Sequence, residues 1–446
     1  MNDDLTGATA PGGGSGPRSL AHLAPRPLAH LAPRPLAHPA AQAGAAAARG
    51  FRRREALALA GLAGLGGLAA ACAAQPIRAA PQPSPRDSVA AFWARQRKHG
   101  RVNFANWPLY IDPGHQTLQD FTAATGITVS YAEVIQDDQS WYDDINPILR
   151  AGESIGYDIM VVTDGFQFSE LVSQGELTPL DQRLMQNFYR YARPRFKNRS
   201  FDPGNTYSMP WAGGATGIAW NPNFIKKPIT SIDELWNPAY KGRVGMMSDL
   251  LDLGNFGMIR QGINPEKSGP AGWRRAGRAL AEQRDAGLVR GYYQQEYIDI
   301  LSKGETWISM AWSGDVFLQN LSSGTDLRFV IPREGGNMWT DNMMIPRRAQ
   351  NPVDAMMLMD WYYRPAIAAM LTEAINYIPP VPAAQPLVAA DAAKATGSQK
   401  ALLTKVATSD LVFLRAAEYA RLRNYADVSG RKQQQYLSIF QPIIGG

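Results

Sequence analysis

Ten side chains that could contact a ligand lie at or near the ends of predicted strands and helices. Five are aromatic, one carries a hydroxyl group and four are carboxylates: Trp107, Tyr110, Thr163, Asp164, Asp249, Asp252, Trp312, Trp339, Asp341 and Tyr377. Open α/β sheets bind their ligands in the crevice outside the carboxyl ends of the strands, so these residues are candidates for one binding cleft.

Each of these residues, taken singly, also has a structural explanation. A Trp or Tyr at a strand end more often covers a hydrophobic core, and an Asp after a strand more often caps a helix. Asp249 and Asp252 could simply flank the start of a helix and interact favourably with its dipole. The combination favours binding, because helix caps need not coincide with exposed aromatic rings.

Aromatic faces and carboxylates without a basic counterpart suit an organic cation. A ring face attracts an ammonium group by roughly 0.5–2 kcal/mol once both are desolvated. A hydrogen bond to a carboxylate adds on the order of 1.5–3 kcal/mol. A neutral sugar would use the rings but not several acids, and a quaternary ammonium needs a cage but not separated acids. Separated acids therefore favour a molecule with two or more amino groups.

Histidine and cysteine are too scarce for most catalytic sites. Three of the five histidines lie within residues 1–50, which leaves His99 and His115, and Cys72 is the one cysteine. We therefore expect no catalytic residues, no cofactor, no metal site and no disulfide. The first 71 residues hold seven of the 45 basic and three of the 39 acidic residues, so the remainder has a net charge of only +2. This balance removes compositional support for nucleic-acid binding.

The elements that must position these side chains alternate between strands and helices from residue 102 onward. Short apolar runs at 102–105, 127–131, 158–162, 244–247, 307–312 and 326–331 predict strands, and residues 207–221 and 337–345 predict long extended segments. Stretches with helical spacing of apolar residues lie between them. Strands separated by helices of this length predict an α/β fold.

Residues 51–72 read as an export signal. Three arginines (Arg52, Arg53 and Arg54) come shortly before sixteen uncharged residues, Ala56 to Ala71, and Cys72 follows this run. The paired arginines indicate the twin-arginine export route, and the residues before Cys72 resemble a lipobox, with the leucine one position too far away. A buried free thiol after an ordinary leader is the alternative. Residues 1–50 read as a disordered low-complexity leader, and residues 73–99 as a tether with a short helix.

Several segments, taken in order between about residues 103 and 380, resemble the spermidine/putrescine-binding proteins of polyamine ABC transporters. They are NFANWPLYIDPGHQTLQDFTAATGITVSY, YDIMVV, SFDPGNTYSMPW, GIAWNP, ELWNPAYKGRV, SMAWSGD, PREGGNMWTDNMMIP and INYIPP. The resemblance maps the family's aromatic box to Trp107, Tyr110, Trp312, Trp339 and Tyr377. It maps the amine-binding carboxylates to Asp249, Asp252 and Asp341, and the small hydroxyl residue to Thr163.

Two positions depart from the family's pattern. Pro108 and Leu109 stand where the family often has an acid, and Gly165 stands where an aromatic residue is common. Asp164 is a candidate to replace the missing acid. These departures leave ligand length and charge spacing open among putrescine, spermidine and other diamine-like cations.

The resemblance implies a two-lobed periplasmic-binding-protein type II fold that closes on its ligand by hinge bending. Residues 100–209 and 338–385 are expected to form lobe 1, and residues 210–337 and 386–446 lobe 2, with the hinge near Pro210 and Pro332. The implied protein is a monomer in the periplasm or on the outer face of the cytoplasmic membrane. It is lipid-anchored through Cys72, and it delivers a polyamine to an ABC permease.

Three alternatives remain open from the residues alone. The first is a binding protein for another organic cation or a small polar metabolite. The second is an exported enzyme on the same fold that uses Asp249 and Asp252, or Asp341, as acid–base groups. The third is a cell-surface interaction protein whose aromatic residues belong to the core.

Overall fold

Strands and helices alternate along the chain as the hydrophobic pattern predicts. The computed structural model describes residues 88–445, so the expectations for residues 1–50, for 51–72 with Cys72, and for most of 73–99 lie outside the described residues. The strands are β1 Arg101–Asn106, β2 Thr128–Glu133, β3 Ile159–Thr163, β4 Ser208–Trp220, β5 Val244–Met247, β6 Val289–Tyr293, β7 Ile308–Trp312, β8 Arg328–Val330, β9 Gly336–Met344 and β10 Leu422–Arg423.

The helices follow from local signals such as Asp137, whose side chain accepts a hydrogen bond from Ser140 N at the start of α3. They are α1 Val89–Arg95, α2 Gln116–Thr125, α3 Asp138–Arg150, α4 Phe166–Ser173, α5 Gln186–Tyr191, α6 Leu250–Arg260, α7 Pro270–Asp285, α8 Tyr297–Ser302, α9 Ser313–Ser323, α10 Pro352–Trp361, α11 Pro365–Ile375, α12 Ala384–Lys394, α13 Gly397–Thr408, α14 Ala416–Arg421 and α15 Arg431–Ile444. None of the helices within residues 88–445 combines the length and apolar character needed to cross a membrane.

All ten strands join in one mixed sheet of order β2-β1-β3-β9-β4-β7-β5-β6, with β10 beside β9 and β8 beside β4. The outer strands pair in parallel, β1 with β2 and β3, and β5 with β6 and β7. The central strands β4 and β9 are antiparallel to each other and to their other neighbours β3 and β7. Two parallel halves are therefore joined through an antiparallel centre, and the α/β fold class is confirmed.

Two large hydrophobic cores lie on either side of this centre. The first core includes Phe104, Val161 and Trp211, and the second includes Phe256 and Met310. Strand β4 passes from one to the other, since Trp211 packs in the first core and Ile218 in the second, and every residue of β4 and β9 is buried. Strands β4 and β9 therefore connect the two cores through the centre of the sheet.

The C-terminal helices divide between the two cores. Val388 of α12 and Val406 of α13 pack in the first core, whereas Tyr436 and Phe440 of α15 pack in the second. The predicted boundaries gave all of residues 386–446 to lobe 2, so the first-core packing of α12 and α13 differs from that expectation. The lobe boundaries and the hinge remain predictions, although the register of β4 does shift between Pro210 and Ala212.

Candidate ligand-binding cleft

The candidate residues lie at the carboxyl ends of parallel strands from both halves of the sheet. Trp107 follows β1, Thr163 ends β3, Asp249 follows β5 and Trp312 ends β7. The central strand β9 adds Trp339 and Asp341, which lie two residues apart and therefore share one face of the strand. The fold thus brings residues that are far apart in sequence to one region, as expected for an open α/β sheet.

Asp341 is held by two hydroxyl groups from the first half of the sheet. Thr163 Oγ1 donates to Asp341 Oδ1 at 2.8 Å, and the Tyr110 hydroxyl donates to Asp341 Oδ2 at 2.5 Å. Burial raises the pKa of Asp341 to about 6, although these two hydrogen bonds oppose the shift. A carboxylate accepts about four hydrogen bonds, so roughly half of the capacity of Asp341 is still open.

Four aromatic rings form a continuous row beside this carboxylate. The ring centroids are 6.4 Å apart for Trp312 and Trp339, 5.8 Å for Trp339 and Tyr377, and 5.5 Å for Tyr377 and Tyr110. The Trp339 ring packs directly over Gly214 on β4, where a Cβ atom would overlap the ring. The row consists of side chains in close edge contact, which favours fixed ring positions.

Trp107 lies apart from this row. Its indole N–H donates to the carbonyl of Val161 at 3.0 Å, and its ring packs against the first core. Trp107 therefore follows β1, as the sequence predicted. Its ring packs against the first core and makes no recognised ring contact with the other four aromatic residues.

Asp252 is completely buried and already accepts four hydrogen bonds. Its Oδ1 accepts from Thr216 Oγ1 at 2.8 Å, from Asn337 Nδ2 at 2.6 Å and from the Tyr425 hydroxyl at 3.2 Å, and its Oδ2 accepts from Trp312 Nε1 at 2.8 Å. Burial raises the pKa of this carboxyl and the four donors lower it. With its acceptor capacity filled, Asp252 positions the Trp312 ring and offers little to a ligand.

Asp249 differs from Asp252 although only three positions separate them. Its Oδ1 accepts from Asp252 N at 2.8 Å and caps α6, which is the structural role expected for an Asp that follows a strand. Burial, and then the neighbouring Asp252 carboxylate, raise the pKa of Asp249. Its remaining lone pairs are not taken by another recorded side chain in the described part of the protein.

Asp164 has a different environment from the other candidates. It is 2% exposed, it accepts from Thr340 Oγ1 at 3.2 Å, and its Oδ2 lies 3.6 Å from Nη2 of Arg199, which is equally buried. Burial raises the pKa of Asp164 to about 6, while Arg199 opposes the shift. Because Arg199 already matches its charge, the structure does not support Asp164 as a replacement for the missing acid at Pro108 and Leu109.

Two further carboxylates reach the same region and were missed in the sequence. Asp315, in the first turn of α9, accepts from the Tyr297 and Tyr377 hydroxyls at 3.1 Å each, and burial raises its pKa to about 6. Asp138, the first residue of α3, accepts from Thr163 N at 3.2 Å, and burial raises its pKa to about 8. Asp315 stands three residues after Trp312 in the SMAWSGD segment, which was a usable signal. In the sequence, Asp138 cannot be distinguished from an ordinary acidic residue in the first turn of a helix.

Four carboxylates with open acceptor capacity thus lie in the same region: Asp138, Asp249, Asp315 and Asp341. Asp315 and Asp341 accept from Tyr377 and Tyr110 of the ring row, whereas Asp138 and Asp249 accept from the backbone of Thr163 and Asp252. Within residues 88–445 none of them forms an ion pair with a lysine, arginine or histidine. In the same range, no group of three or more His, Cys, Asp or Glu side chains is arranged to hold a metal ion. Asp341 is buried and the other three are half-buried. Removing carboxylates from water without a compensating charge is unfavourable, so this arrangement suits a cation that hydrogen-bonds to several of them.

Known proteins resemble this chain in both sequence and fold. Residues 116–397 match the family described as bacterial extracellular solute-binding protein. A spermidine/putrescine-binding periplasmic protein of Salmonella typhimurium is 30% identical over 291 residues, which cover 65% of this chain and 80% of that protein. A putrescine/agmatine-binding protein of Pseudomonas aeruginosa is 26% identical over 315 residues, covering 66% and 82% respectively.

Solved structures show the same fold. The spermidine/putrescine ABC transporter substrate-binding protein PotD from Streptococcus pneumoniae superposes with a TM-score of 0.64 at 22% identity, covering 77% of this chain and 98% of that one. The TpPotD lipoprotein of Treponema pallidum gives a TM-score of 0.61 at 16% identity, covering 78% and 100%. These likenesses confirm the two-lobed periplasmic-binding-protein type of fold. By the extent of its family match and by the first of these relatives, the chain belongs to the bacterial extracellular solute-binding proteins.

Proposed function

We propose that this protein is the extracytoplasmic substrate-binding component of an ABC importer and captures a polyamine of the putrescine or spermidine kind. One observation carries the proposal: Asp315 and Asp341 have open acceptor capacity and contact a row of four aromatic rings, and Asp138 and Asp249 add open carboxylates in the same region. Membership of a solute-binding family makes the chain a binding protein and not an enzyme.

The energetics of this arrangement fit a multiply charged amine. Each hydrogen bond between an ammonium group and a carboxylate contributes about 1.5–3 kcal/mol, and each ring face adds about 0.5–2 kcal/mol. Micromolar affinity requires about 8 kcal/mol after the cost of ordering the ligand. Two ammonium groups that each reach two acids and a ring supply that amount, whereas a neutral sugar would leave the carboxylates without a cation.

The names of the relatives point in the same direction. The relatives include proteins described as binding spermidine and putrescine, putrescine and agmatine, or putrescine and cadaverine. All of these molecules are chains with a basic group at each end, which matches acids spread along a ring row. For this chain we propose Trp312, Trp339, Tyr377 and Tyr110 as ring contacts, and Asp249, Asp315 and Asp341 as ammonium contacts.

The mode of action that we propose is hinge closure of two lobes about β4 and β9. In this scheme the first core belongs to one lobe and the second core to the other, and the ligand is enclosed between them. We also propose that the protein is exported and held as a monomer at the outer face of the cytoplasmic membrane through an acylated Cys72, where it passes its ligand to an ABC permease. The residue pattern of 51–72 supports this part of the proposal.

Calorimetric titration of the purified protein with putrescine, spermidine, choline and glucose tests the proposal. We expect at least one of the two polyamines to bind with micromolar or tighter affinity, and choline and glucose to bind far more weakly. The absence of polyamine binding at millimolar concentration would refute the proposal, and equally tight binding of choline would replace it with a quaternary-ammonium receptor.

A further inference from the structure

Asp138 is placed to extend the proposed ligand site in a direction that none of the sequence motifs indicates. It is the first residue of α3, and its Oδ1 accepts a hydrogen bond from Thr163 N at 3.2 Å. The hydroxyl of the same Thr163 donates to Asp341 Oδ1 at 2.8 Å. Thr163 is thus hydrogen-bonded to both carboxylates, through its backbone N–H to Asp138 and through its side chain to Asp341.

The usual role of an acid at a helix start is already filled by its neighbour. Asp137 caps α3, with Oδ1 accepting from Ser140 N at 2.8 Å and Oδ2 from Ser140 Oγ at 2.6 Å. A second acid in the first turn gains from the helix dipole. For Asp138 the destabilising surroundings outweigh the effect of the helix dipole, because burial and the carboxylates of Asp341 and Asp249 raise its pKa to about 8.

The charges around Asp138 therefore have no internal compensation. The carboxylates of Asp341 on β9 and Asp249 at the start of α6 both disfavour its ionisation, and no basic side chain of residues 88–445 forms an ion pair with it. Nearby on the same face of β9, the Trp339 ring is 8% exposed and its indole N–H has no hydrogen-bond partner among the described residues. A buried donor without a partner is typical of a position that a bound molecule or water completes.

We propose that Asp138 and Asp341 together hold one terminal primary ammonium group of the ligand, beside Thr163. This inference rests on the proposed function and specifies its chemistry. A primary ammonium group has three N–H donors and can reach both carboxylates at once. A quaternary ammonium group has none, so it cannot hydrogen-bond to either. The second ammonium group then falls to Asp249 and Asp315.

The test compares Asp138→Asn with the matched control Asp137→Asn, one position earlier in the chain. We expect Asp138→Asn to weaken putrescine binding by about tenfold or more in calorimetry, since it removes a charge-assisted hydrogen bond. Its ligand-free thermal midpoint near neutral pH should stay equal or rise, because the neutral amide avoids the free-energy cost that the raised pKa of the Asp138 carboxyl imposes on folding. Asp137→Asn should leave both the affinity, within about twofold, and the midpoint nearly unchanged, because the Asn oxygen can still accept from Ser140 N and cap the helix.

A second measurement needs no variant. The wild-type protein should bind 1,4-bis(trimethylammonio)butane about tenfold or more weakly than putrescine, since quaternisation removes every N–H donor at the same charge. Equal affinity for the two would overturn the inference, as would an Asp138→Asn variant that binds putrescine within about twofold of wild type. Both results leave the proposed function standing, whereas a wild-type protein that binds no polyamine overturns both proposals.

Discussion

Asp252 and Asp341 are the same residue type, both are nearly or fully buried, and both were predicted to bind an amine, yet their surroundings differ. Asp252 accepts four hydrogen bonds, from Thr216, Asn337, Tyr425 and Trp312. Asp341 accepts two, both from rotatable hydroxyl groups. Because a carboxylate has room for about four, the first is filled by the protein and the second retains space for a ligand.

The difference separates positioning from binding within one site. Asp252 fixes the indole of Trp312 and ties the C-terminal Tyr425 to the centre of the sheet. Asp341 presents unfilled oxygens beside Tyr110 and Thr163. Sequence spacing cannot make this distinction, because it identifies the residue type but not the number of donors that reach it.

The largest expected effect is a loss of stability in Asp252→Asn. The indole of Trp312 can only donate, and Asn337 is held in its donating orientation because its Oδ1 accepts from Asn255 Nδ2. An Asn side chain at position 252 therefore leaves at least one of these two donors facing its NH₂ group. An unsatisfied buried donor beside a broken network costs about 2–4 kcal/mol of unfolding free energy. Urea denaturation of the ligand-free protein measures it, with the exposed Asp326→Asn as the control. An unchanged unfolding free energy would show that Asp252 is not a structural carboxylate.

Asp341→Asn should weaken ligand binding and leave the stability of the fold nearly unchanged. The hydroxyls of Tyr110 and Thr163 can rotate to accept from the new NH₂ group, so the ligand-free protein should remain folded with little loss of stability. Putrescine affinity should fall by about 1.5–3 kcal/mol, because the charge of the acceptor is lost. Calorimetry checks the affinity and a thermal melt the fold. Unchanged affinity would show that Asp341 does not contact the ligand.

Gly214→Ala should have a smaller and indirect effect. A Cβ atom at this position overlaps the Trp339 ring, so the ring must tilt away from its place between Trp312 and Tyr377. Loss of one well-placed ring face should weaken polyamine binding by about 0.5–2 kcal/mol. The control is Gly272→Ala in α7, where the nearest atoms to a new Cβ are 3.5 Å away. If both variants bind equally well, the position of the Trp339 ring is unimportant for binding.

A further expected effect is a pH dependence of ligand-free stability. The pKa values of Asp138, about 8, and of Asp315 and Asp341, about 6, exceed the value near 4 expected for Asp in the unfolded chain. Between about pH 4 and pH 8 the folded state binds more protons at these three carboxyls than the unfolded state does. Their contribution therefore lowers the free energy of unfolding as the pH rises through this range.

Saturating putrescine should reverse this contribution, since ammonium groups stabilise the ionised carboxylates. Thermal melts of wild type and Asp138→Asn across this pH range isolate the share of Asp138, because all other groups are common to both proteins. A wild-type protein whose midpoint shows the same pH dependence as the variant would mean that Asp138 titrates normally.

Much of the fold could be predicted from the sequence, because continuous apolar runs and helical spacing are local signals. The extended segment predicted at 207–221 is β4 Ser208–Trp220, and the one at 337–345 is β9 Gly336–Met344. Their antiparallel pairing at the centre of the sheet depends on long-range contacts and was not predicted. Helices α12 and α13 were missed because their apolar residues give a weak helical pattern.

The site could be predicted in part for the same reason. Residue types at strand ends identified Asp249, Asp341 and the four rings that the structure brings together. The sequence could not reveal that Arg199 pairs with Asp164, since 35 positions separate them along the chain. It also could not show that Asp138 reaches Thr163, because any residue except proline offers the same backbone N–H, so the residue types do not reveal this hydrogen bond. The family resemblance is confirmed by the relatives, whereas the ligand contacts remain predictions.

The most direct test of the central claim is a crystal structure of the protein grown with putrescine. The account predicts the ligand along the row of Trp312, Trp339, Tyr377 and Tyr110, with one ammonium nitrogen within hydrogen-bonding distance of Asp341 and the other near Asp249 or Asp315. It also predicts that Asp252 keeps its four protein donors and does not touch the ligand. A putrescine molecule bound away from the ring row, or one held by Asp252 in place of Asp341, would contradict the account.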